Sequence, residues 1–274
     1  METESNLLDQ EIAEILRTVV DGAPETLLVV NPSKDTIEEL IGVATEYEGD
    51  LPTIRLLAQE GTLKDVMEDF IVASNAADLI DEGALSLRTT DEVPSNSLIV
   101  TDEVVIALVT ADDKVGGLTA DDDEFVAEAY DSYTAQWEET SDFSLRTPAI
   151  SRVRDTLGEE ISADAQQDFD EVLSSMETAR GDGDGLDEVT ISLLVAAKNE
   201  ALLYDISKWG EDVGIASKAT FSRTKTKLED MGLIGTEKVP IDVGRPRLRL
   251  KLANEDLQNA ETDQLAGVAQ SMLN

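Results

Sequence analysis

The chain of 274 residues contains no cysteine and no histidine. Without cysteine, disulfides and thiolate zinc sites are excluded. Without histidine, the commonest general base and metal ligand is missing, so an enzyme is a poor expectation and no cofactor is implied. Basic residues are scarce, 21 Lys and Arg against 59 Asp and Glu, for a net charge of −38. No apolar run approaches the ~18 residues that span a bilayer. The acidic start METESNLLDQE lacks a signal-peptide pattern, so the expected location is the cytoplasm, with no membrane partner. Neither a GxGxxG after the first predicted strand nor a P-loop is present, which leaves a nucleotide-binding fold unsupported.

What is present is ample for real cores: 41% of residues are hydrophobic, and the length suits one large or two ordinary domains. Periodic apolar segments fill most of the chain, which argues against an acidic disordered protein. A surface carrying −38 repels itself in ordinary buffer. In molar salt the Debye length falls to ~3 Å and that repulsion is screened, so the composition points to an organism with molar salt in its cytoplasm. The charge is uneven. Residues 186–252 hold eleven basic and ten acidic side chains, and residues 216–251 hold nine and four. The remainder of the chain outside 186–252 holds ten and forty-nine. A near-neutral island with a basic half is most simply a nucleic-acid contact.

Along the chain, Leu8, Ile12, Ile15, Leu16 and Val19 recur at helical spacing over residues 6–20. A short buried strand follows at Leu27–Asn31, then a helix opened by Pro32 and Ser33. Thr53–Ala58 is a second strand, residues 62–80 read as one long helix or two short ones, and Leu85–Thr89 is a third strand. Ser97–Thr101 and Val104–Val109 form a hairpin around Asp102 and Glu103. A helix from Asp121 carries Val126, Tyr130 and Trp137, with carboxylates at its start where the helix dipole favours them. The order β-α-β-α-β-β-β-α predicts an α/β or α+β domain over residues 1–145 with a partly parallel sheet. Ligands in such sheets sit at the C-terminal strand ends. That rim offers Asn31, Ser33, Arg55, Arg88 and Thr101 as candidate effector-binding residues, although each taken singly also reads as a cap or turn residue. For an enzyme, Asp102, Asp112 and Asp113 are the only carboxylates near strand ends to consider.

Residues 146–185 read as a helical connector, with Phe169, Val172, Leu173 and Met176 on one stripe between Ile161 and Arg180, followed by a Gly/Asp linker. The linker GDGDGLDE fails as a calcium loop because Leu186 and Leu193 stand where ligands are required. Residues 186–252 then read as a winged helix. One helix buries Val189, Leu193, Leu194 and Ala197, and a second buries Ile206 and Trp209 and stops at Gly214. Ser217 caps a third, whose Phe221 and Leu228 face inward. Ser217, Lys218, Thr220, Ser222, Arg223, Thr226 and Lys227 are left to meet DNA. Lys225 stands where many winged helices carry an apolar residue, with Thr224 the other inward candidate. After Gly232, VGRPRLRLKL alternates basic residues with leucine, so Arg247, Arg249 and Lys251 lie on the outer face of a wing whose tight tip, Gly244–Arg247, offers Arg245 to DNA as well.

These segments carry a resemblance to a known family. NLL near the start, FIVASNAADLI, SLRTP, GDGDGLDEVTISLLVAAKN, LLYDISKWGEDVGIASKATFSRTKT and EKVPIDVGRPRLRLKL are similar to the TbsP family of haloarchaeal transcriptional regulators over essentially the whole length. The resemblance implies a salt-adapted cytoplasm, control of central sugar (glucose) metabolism beside a TrmB-type regulator, and double-stranded promoter DNA as partner. The first domain's strand pattern is also similar to the phospholipase-D-like effector domain of TrmB-type proteins. A chain without histidine cannot carry the catalytic signature of true phospholipases.

Residues 253–274 read as a helix from about Thr262, with a stripe of Leu265, Val268, Ala269 and Met272 that either pairs two subunits or packs on its own winged helix. The expected protein is a homodimeric repressor or activator whose first domain senses a metabolite or partner. The competing expectation is an adaptor whose winged helix docks on another transcription factor. Counterion release loses its drive as salt rises. A DNA binder in molar salt must lean on hydrogen bonds, burial and shape, or take up cations between acidic residues and phosphates.

Overall fold

The computed structural model describes residues 7–22, 25–92, 94–111, 114–180, 186–240 and 246–273. Contacts divide the chain into two compact units, Met1–Met67 with Asn75–Leu145, and Glu68–Ser74 with Arg146–Asn274. Among the described residues no helix is long and apolar enough to cross a membrane.

The first unit is built on an eight-stranded sheet. Its elements are β1 (Leu7–Gln10), α1 (Ile12–Gly22), β2 (Thr26–Val30), α2 (Lys34–Glu46), β3 (Thr53–Ala58), α3 (Glu60–Val66), α4 (Phe70–Asp81), β4 (Leu85–Thr89), β5 (Ser97–Val100), β6 (Val105–Ala111), β7 (Lys114–Ala120), α5 (Asp123–Glu139) and β8 (Ser141–Asp142). The first residues of α4 group with the second unit. The strand order is β1-β7-β6-β5-β2-β3-β4-β8. β2, β3 and β4 run parallel in register, Leu28 beside Arg55 and Leu56 beside Leu87, and the remaining pairs are antiparallel. The sheet is therefore partly parallel, as the β-α-β alternation implies. β2 and β3 are nearly continuous apolar runs because both of their faces are covered. Leu28, Val30, Leu57, Val100 and Val105 pack with Val126 and Trp137 of α5. Alternation sends Leu27, Val29, Ile54 and Leu56 to the opposite face, and all four are fully buried.

The structure departs from the expected elements at residues 6–20, at β7 and at residues 161–180, and it decides between the two readings of residues 62–80. Residues 6–20 are not one helix, because Leu8 lies in β1 and α1 begins at Ile12. Four residues fit a period of two as well as 3.6, and β7 offers them an antiparallel partner that local sequence does not reveal. β7 itself was not expected, since Gly116 and Gly117 hide a strand that pairs with β6 from Lys114 to Ala120. Residues 62–80 resolve into two helices because Asp69 caps the second, its Oδ1 accepting from Ile71 N–H at 2.9 Å. The helix expected from Ile161 to Arg180 is shorter, beginning after Ser162, which accepts from Ala165 N–H at 3.1 Å, and ending at Ser174.

The second unit contains α6 (Ile150–Glu160), α7 (Ala163–Ser174), α8 (Glu188–Lys198), α9 (Leu203–Val213), α10 (Lys218–Asp230), β9 (Ile234–Val239), β10 (Arg247–Leu252), α11 (Glu255–Asn259), a 3-10 turn at Thr262–Gln264 and α12 (Leu265–Leu273). One apolar cluster joins Phe169 and Val172 of α7, Leu193 of α8, Trp209 of α9, Phe221 and Leu228 of α10, Leu250 of β10, and Leu257, Leu265 and Ala269 of the tail. The boundaries expected at residues 185 and 252 therefore fall inside one core. The tail's stripe packs on its own chain: Leu265 and Ala269 are fully buried, and Val268 and Met272 lie against the cluster.

Two buried carboxylates tie this unit together. Asp168 accepts from Lys198 Nζ at 2.6 Å, Asn199 Nδ2 at 2.7 Å and Thr262 Oγ1 at 3.0 Å, joining α7 to the end of α8 and the start of the tail. Asp69 accepts from Thr178 Oγ1 and from Ala179 N–H at 3.2 Å, fastening residues 68–74 to the segment after α7. In both cases desolvation of the charge is offset by several donors and by a cation, Lys198 at Asp168 and Arg180, 3.4 Å away, at Asp69.

α9 and α10 approach closely at Gly210. A Cβ added there would lie 2.3 Å from two ring carbons of Phe221, which is fully buried. Alanine is favoured over glycine by about 1 kcal/mol inside a helix. The clash with a ring that has nowhere to move outweighs that gain. Gly210→Ala is expected to lower the unfolding free energy by about 2 kcal/mol net, read from denaturant unfolding in molar KCl. A stabilised variant would show that the ring does not sit against α9.

Candidate nucleic-acid interface

The interface is built from α8, α9, α10 and the β9–β10 hairpin. Asp187 Oδ1 accepts from Thr190 N–H at 2.7 Å and starts α8. Val189 through Ala197 are all buried, so α8 is the central helix on which the others pack. α9 buries Ile206, Trp209 and Val213 and ends at Gly214, whose φ of 100° is the left-handed region glycine occupies without strain. Trp209 Nε1 donates to Thr156 Oγ1 at 2.9 Å, so even this buried indole is satisfied. Ser217 Oγ then accepts from Thr220 N–H at 3.2 Å and caps α10, as its position predicts.

Burial sets the roll of α10. Phe221 and Leu228 are fully buried, seven residues apart on one face. Ser217, Ser222, Arg223, Thr226 and Lys227 are exposed, and Lys218 and Thr220 are half-exposed. Lys225 is accommodated by lying along the surface with Nζ 2.7 Å from Glu229, so its stem is covered and its charge is met. Thr224 is half-buried beside it.

The wing follows Gly232, again left-handed at φ 73°. β9 and β10 pair antiparallel from Ile234 opposite Leu252 to Val239 opposite Arg247. Leu250 is fully buried, while Leu248 and Leu252 are half-buried. β10 is also pinned to the α8–α9 turn, where Leu250 N–H donates to Ala201 O at 2.9 Å and Leu202 bridges Arg249. Gly244 and Arg245 of the expected tip lie, with residues 241–243, outside the described residues. A groove of about 470 Å³ runs between α9, α10 and the wing, lined among others by Tyr204, Ser207, Lys218, Ser222, Pro246 and Arg247.

Three of the five expected DNA-facing cations among the described residues already have a carboxylate. Lys218 Nζ bonds Glu211. Arg247 Nη1 lies 3.0 Å from Asp205, with its guanidinium 4.3 Å from the centroid of the exposed Tyr204 ring. Arg249 is 3.8 Å from Glu200, and Lys251 is 2.7 Å from Glu237 and 4.0 Å from Glu200. Arg223 donates to Thr220 Oγ1 at 3.3 Å. Among the described residues neither Arg223 nor Lys227 has a carboxylate within 4.0 Å. The surface thus presents hydroxyls and two uncompensated cations on α10, donors suited to phosphate oxygens and to acceptors in the major groove.

The candidate effector rim is differently built. Asn31 Nδ2 donates to Pro94 O at 2.9 Å, and its own carbonyl accepts from Ser97 Oγ at 2.7 Å. Ser33 caps α2 by accepting from Thr36 N–H at 3.2 Å. Arg88 bonds the carbonyl of Trp137 and Asp142 Oδ1, with its guanidinium 4.8 Å from the Trp137 centroid, and Arg55 lies 5.9 Å from the same ring. Thr101 does not belong to that rim. β5 runs antiparallel to β2, with Val100 opposite Leu28, so Thr101 sits at the other end of the sheet and turns the chain by accepting from Val104 N–H at 3.0 Å. Gln136, which the sequence did not single out, donates to Glu92 O and helps hold the loop over this rim. Of the enzyme candidates, Asp102 is exposed in a turn, and Asp112 and Asp113 lie outside the described residues. An open cleft of about 570 Å³ lies at the opposite strand ends, lined among others by Thr45, Tyr47, Asp50, Thr53, Asp78 and Glu82.

Three packed helices, a capped turn between the last two and a two-stranded wing define a winged helix-turn-helix protein. The family model for the N-terminal part of TbsP-like transcriptional regulators matches residues 4–148, and that for their C-terminal helix-turn-helix domain matches residues 149–270. The chain belongs to the TbsP-like family of transcriptional regulators. No curated protein matches it. Among solved structures it is similar to TrmBL2, an archaeal chromatin protein, at 15% identity and a TM-score of 0.38, over 52% of this chain and 55% of that one. It is also similar to Nuc, a phospholipase D family member from Salmonella typhimurium (9%, TM-score 0.34, 51% and 95%), and to NucT from Helicobacter pylori (12%, 0.34, 51% and 98%). The chain spans about half the length of the TrmBL2 chain. Likenesses this weak carry no argument about fold or function.

The Lys218–Glu211 contact has a pH signature. The hydrogen bond to Glu211 raises the Lys218 ammonium above its ordinary value, and the same bond lowers the Glu211 carboxyl below its own. The raised lysine contributes below its unfolded value and loses that contribution as pH rises through the folded one. The lowered glutamate contributes above its unfolded value and loses it as pH falls through the folded one. The contact is thus complete between the ordinary carboxylate and lysine ranges. Carboxyl 13C NMR at low salt is expected to show Glu211 titrating below its ordinary value, and Lys218→Met moving it up toward that value while the backbone N–H of residue 218 still donates to it. An unchanged midpoint in the variant would contradict the pairing.

Proposed function

We propose that the chain regulates transcription by binding promoter DNA through the exposed face of α10 and the β9–β10 wing. In this reading two chains act together on half-sites about one helical turn apart. The genes controlled are those of sugar metabolism, and the first unit senses a metabolite or a partner such as a TrmB-type regulator. The observation that carries the DNA reading is the division of α10: Phe221 and Leu228 are wholly buried while Ser222, Arg223, Thr226 and Lys227 face solvent. Arg223 and Lys227 are one helical turn apart on that face, and neither charge is answered by a carboxylate among the described residues. A protein-docking winged helix gains less from such a face than DNA does, because exposed ion pairs contribute little to protein association.

For the sensing role, the open cleft beside Tyr47, Asp50, Asp78 and Glu82 is the better-supported place. At the opposite rim the side-chain groups of Asn31, Ser33 and Arg88 are engaged in the unit's own hydrogen bonds. Carboxylates in the cleft suit the hydroxyls of a neutral sugar and repel a phosphorylated one.

The test is titration of labelled promoter fragments with the full chain in molar KCl, beside Arg223→Ala/Lys227→Ala. Saturable, sequence-dependent binding is expected, weakened on the order of 10- to 100-fold in the double variant. Equal binding by a folded double variant would remove α10 from the interface. Failure of the wild type on every promoter, with captured protein partners instead, would favour the adaptor.

A further inference from the structure

The acidic residues around the proposed DNA face form a pattern that the DNA reading does not use. Glu200 lies in the α8–α9 turn, Asp205 in the first turn of α9 and Glu211 in its last. Each holds a cation that comes from α10 or from β10: Glu211 holds Lys218, Asp205 holds Arg247, and Glu200 approaches both Arg249 and Lys251. The pairs with Arg247 and Arg249 join positions more than forty residues apart, so they are products of the fold rather than of helical spacing.

Glu200 is the most telling of the three. Its φ is 50°, the left-handed region where a helix-ending glycine or asparagine is usual, and its side chain is 57% exposed. The conformation closes the end of α8, with Ala201 N–H donating to Ala196 O at 2.8 Å, and what the Glu200 carboxylate meets is the pair of wing cations.

A phosphate that approaches Lys218 or Arg247 finds an anion already there. Two anions share one cation poorly, so the carboxylate must swing away or the site must admit a further cation between the two. A released or crowded carboxylate draws in a monovalent cation from solution. That uptake opposes the release of cations from DNA that normally makes binding fall with salt.

We propose that Glu200, Asp205 and Glu211 are counter-charges that set the salt dependence of DNA binding, each taking up a monovalent cation when phosphate engages the cation it holds. This rests on the DNA reading of α10 and the wing. The three carboxylates compete with phosphate at low salt, and their cations complete the interface at high salt.

The experiment is a series of titrations of promoter duplex with the full chain from low to molar KCl. The variants are Asp205→Asn/Glu211→Gln and Glu200→Gly. Wild type is expected to bind with a shallow or rising dependence on KCl. The variants should bind about two- to fivefold tighter per carboxylate removed at low salt. Their slope of log affinity against log salt should steepen by up to about one per carboxylate, so the advantage fades in molar KCl. Glu200→Gly should also raise the melting temperature, since glycine relieves the left-handed backbone. Parallel slopes for wild type and variants would overturn the proposal. So would weaker binding by the variants at all salts, which would make the carboxylates supports for the arginines. In either case loss of binding in Arg223→Ala/Lys227→Ala would leave the DNA reading standing. Absence of binding by every form, all folded, would overturn both.

Discussion

The contact of the Phe221 ring with the bare Cα of Gly210 is the constraint on which the functional surface depends. It brings α10 against α9 closely enough that no side chain intervenes. With Leu228 buried one heptad later, it fixes which way α10 is rolled. Which residues of α10 face outward, toward the proposed DNA, is a consequence of that roll. The left-handed Gly214 and the Ser217 cap set where the helix starts, and Gly232 sets where the chain leaves for the wing. The wing is held by the Leu250 bond to Ala201, so helix and hairpin are positioned from the same central α8.

Electrostatics is the second determinant. For a chain of net charge −38, the proposed contact with a polyanion cannot rely on gross attraction. The second unit meets this by concentrating its basic residues on α10 and β10 and then pairing most of them with its own carboxylates. Arg223 and Lys227 stand apart from that pairing, on the face that burial leaves outward. Exposed pairs of this kind stabilise a fold little. Their consequence is for what else can bind the cations they hold.

Much of this was legible along the chain, and the reasons differ by element. LLVV and TIRLLA declare central strands because both faces are buried. The winged helix is legible because its signals are local: the Gly214 and Gly232 stops, the Ser217 cap, and leucines alternating with basic residues in β10. β1 and β7 are hidden because a short LLDQ becomes a strand only against β7, and a glycine-centred KVGGLTA only against β6. From sequence Thr101 falls at the wrong end of the sheet, because the direction of β5 is a tertiary fact, invisible in its own residues. The carboxylate partners of Arg247 and Arg249 were equally out of reach, since nothing at residues 200–205 announces a contact with β10.

The central claim is that α10 and the wing, and not the first unit, touch DNA. Amide hydrogen exchange of the full chain in molar KCl, with and without saturating promoter duplex, tests it most directly. The account predicts slowed exchange over residues 214–227 and 246–251, with the strands of the first unit unchanged. Slowing confined to the first unit, or none anywhere while DNA is demonstrably bound, would contradict it.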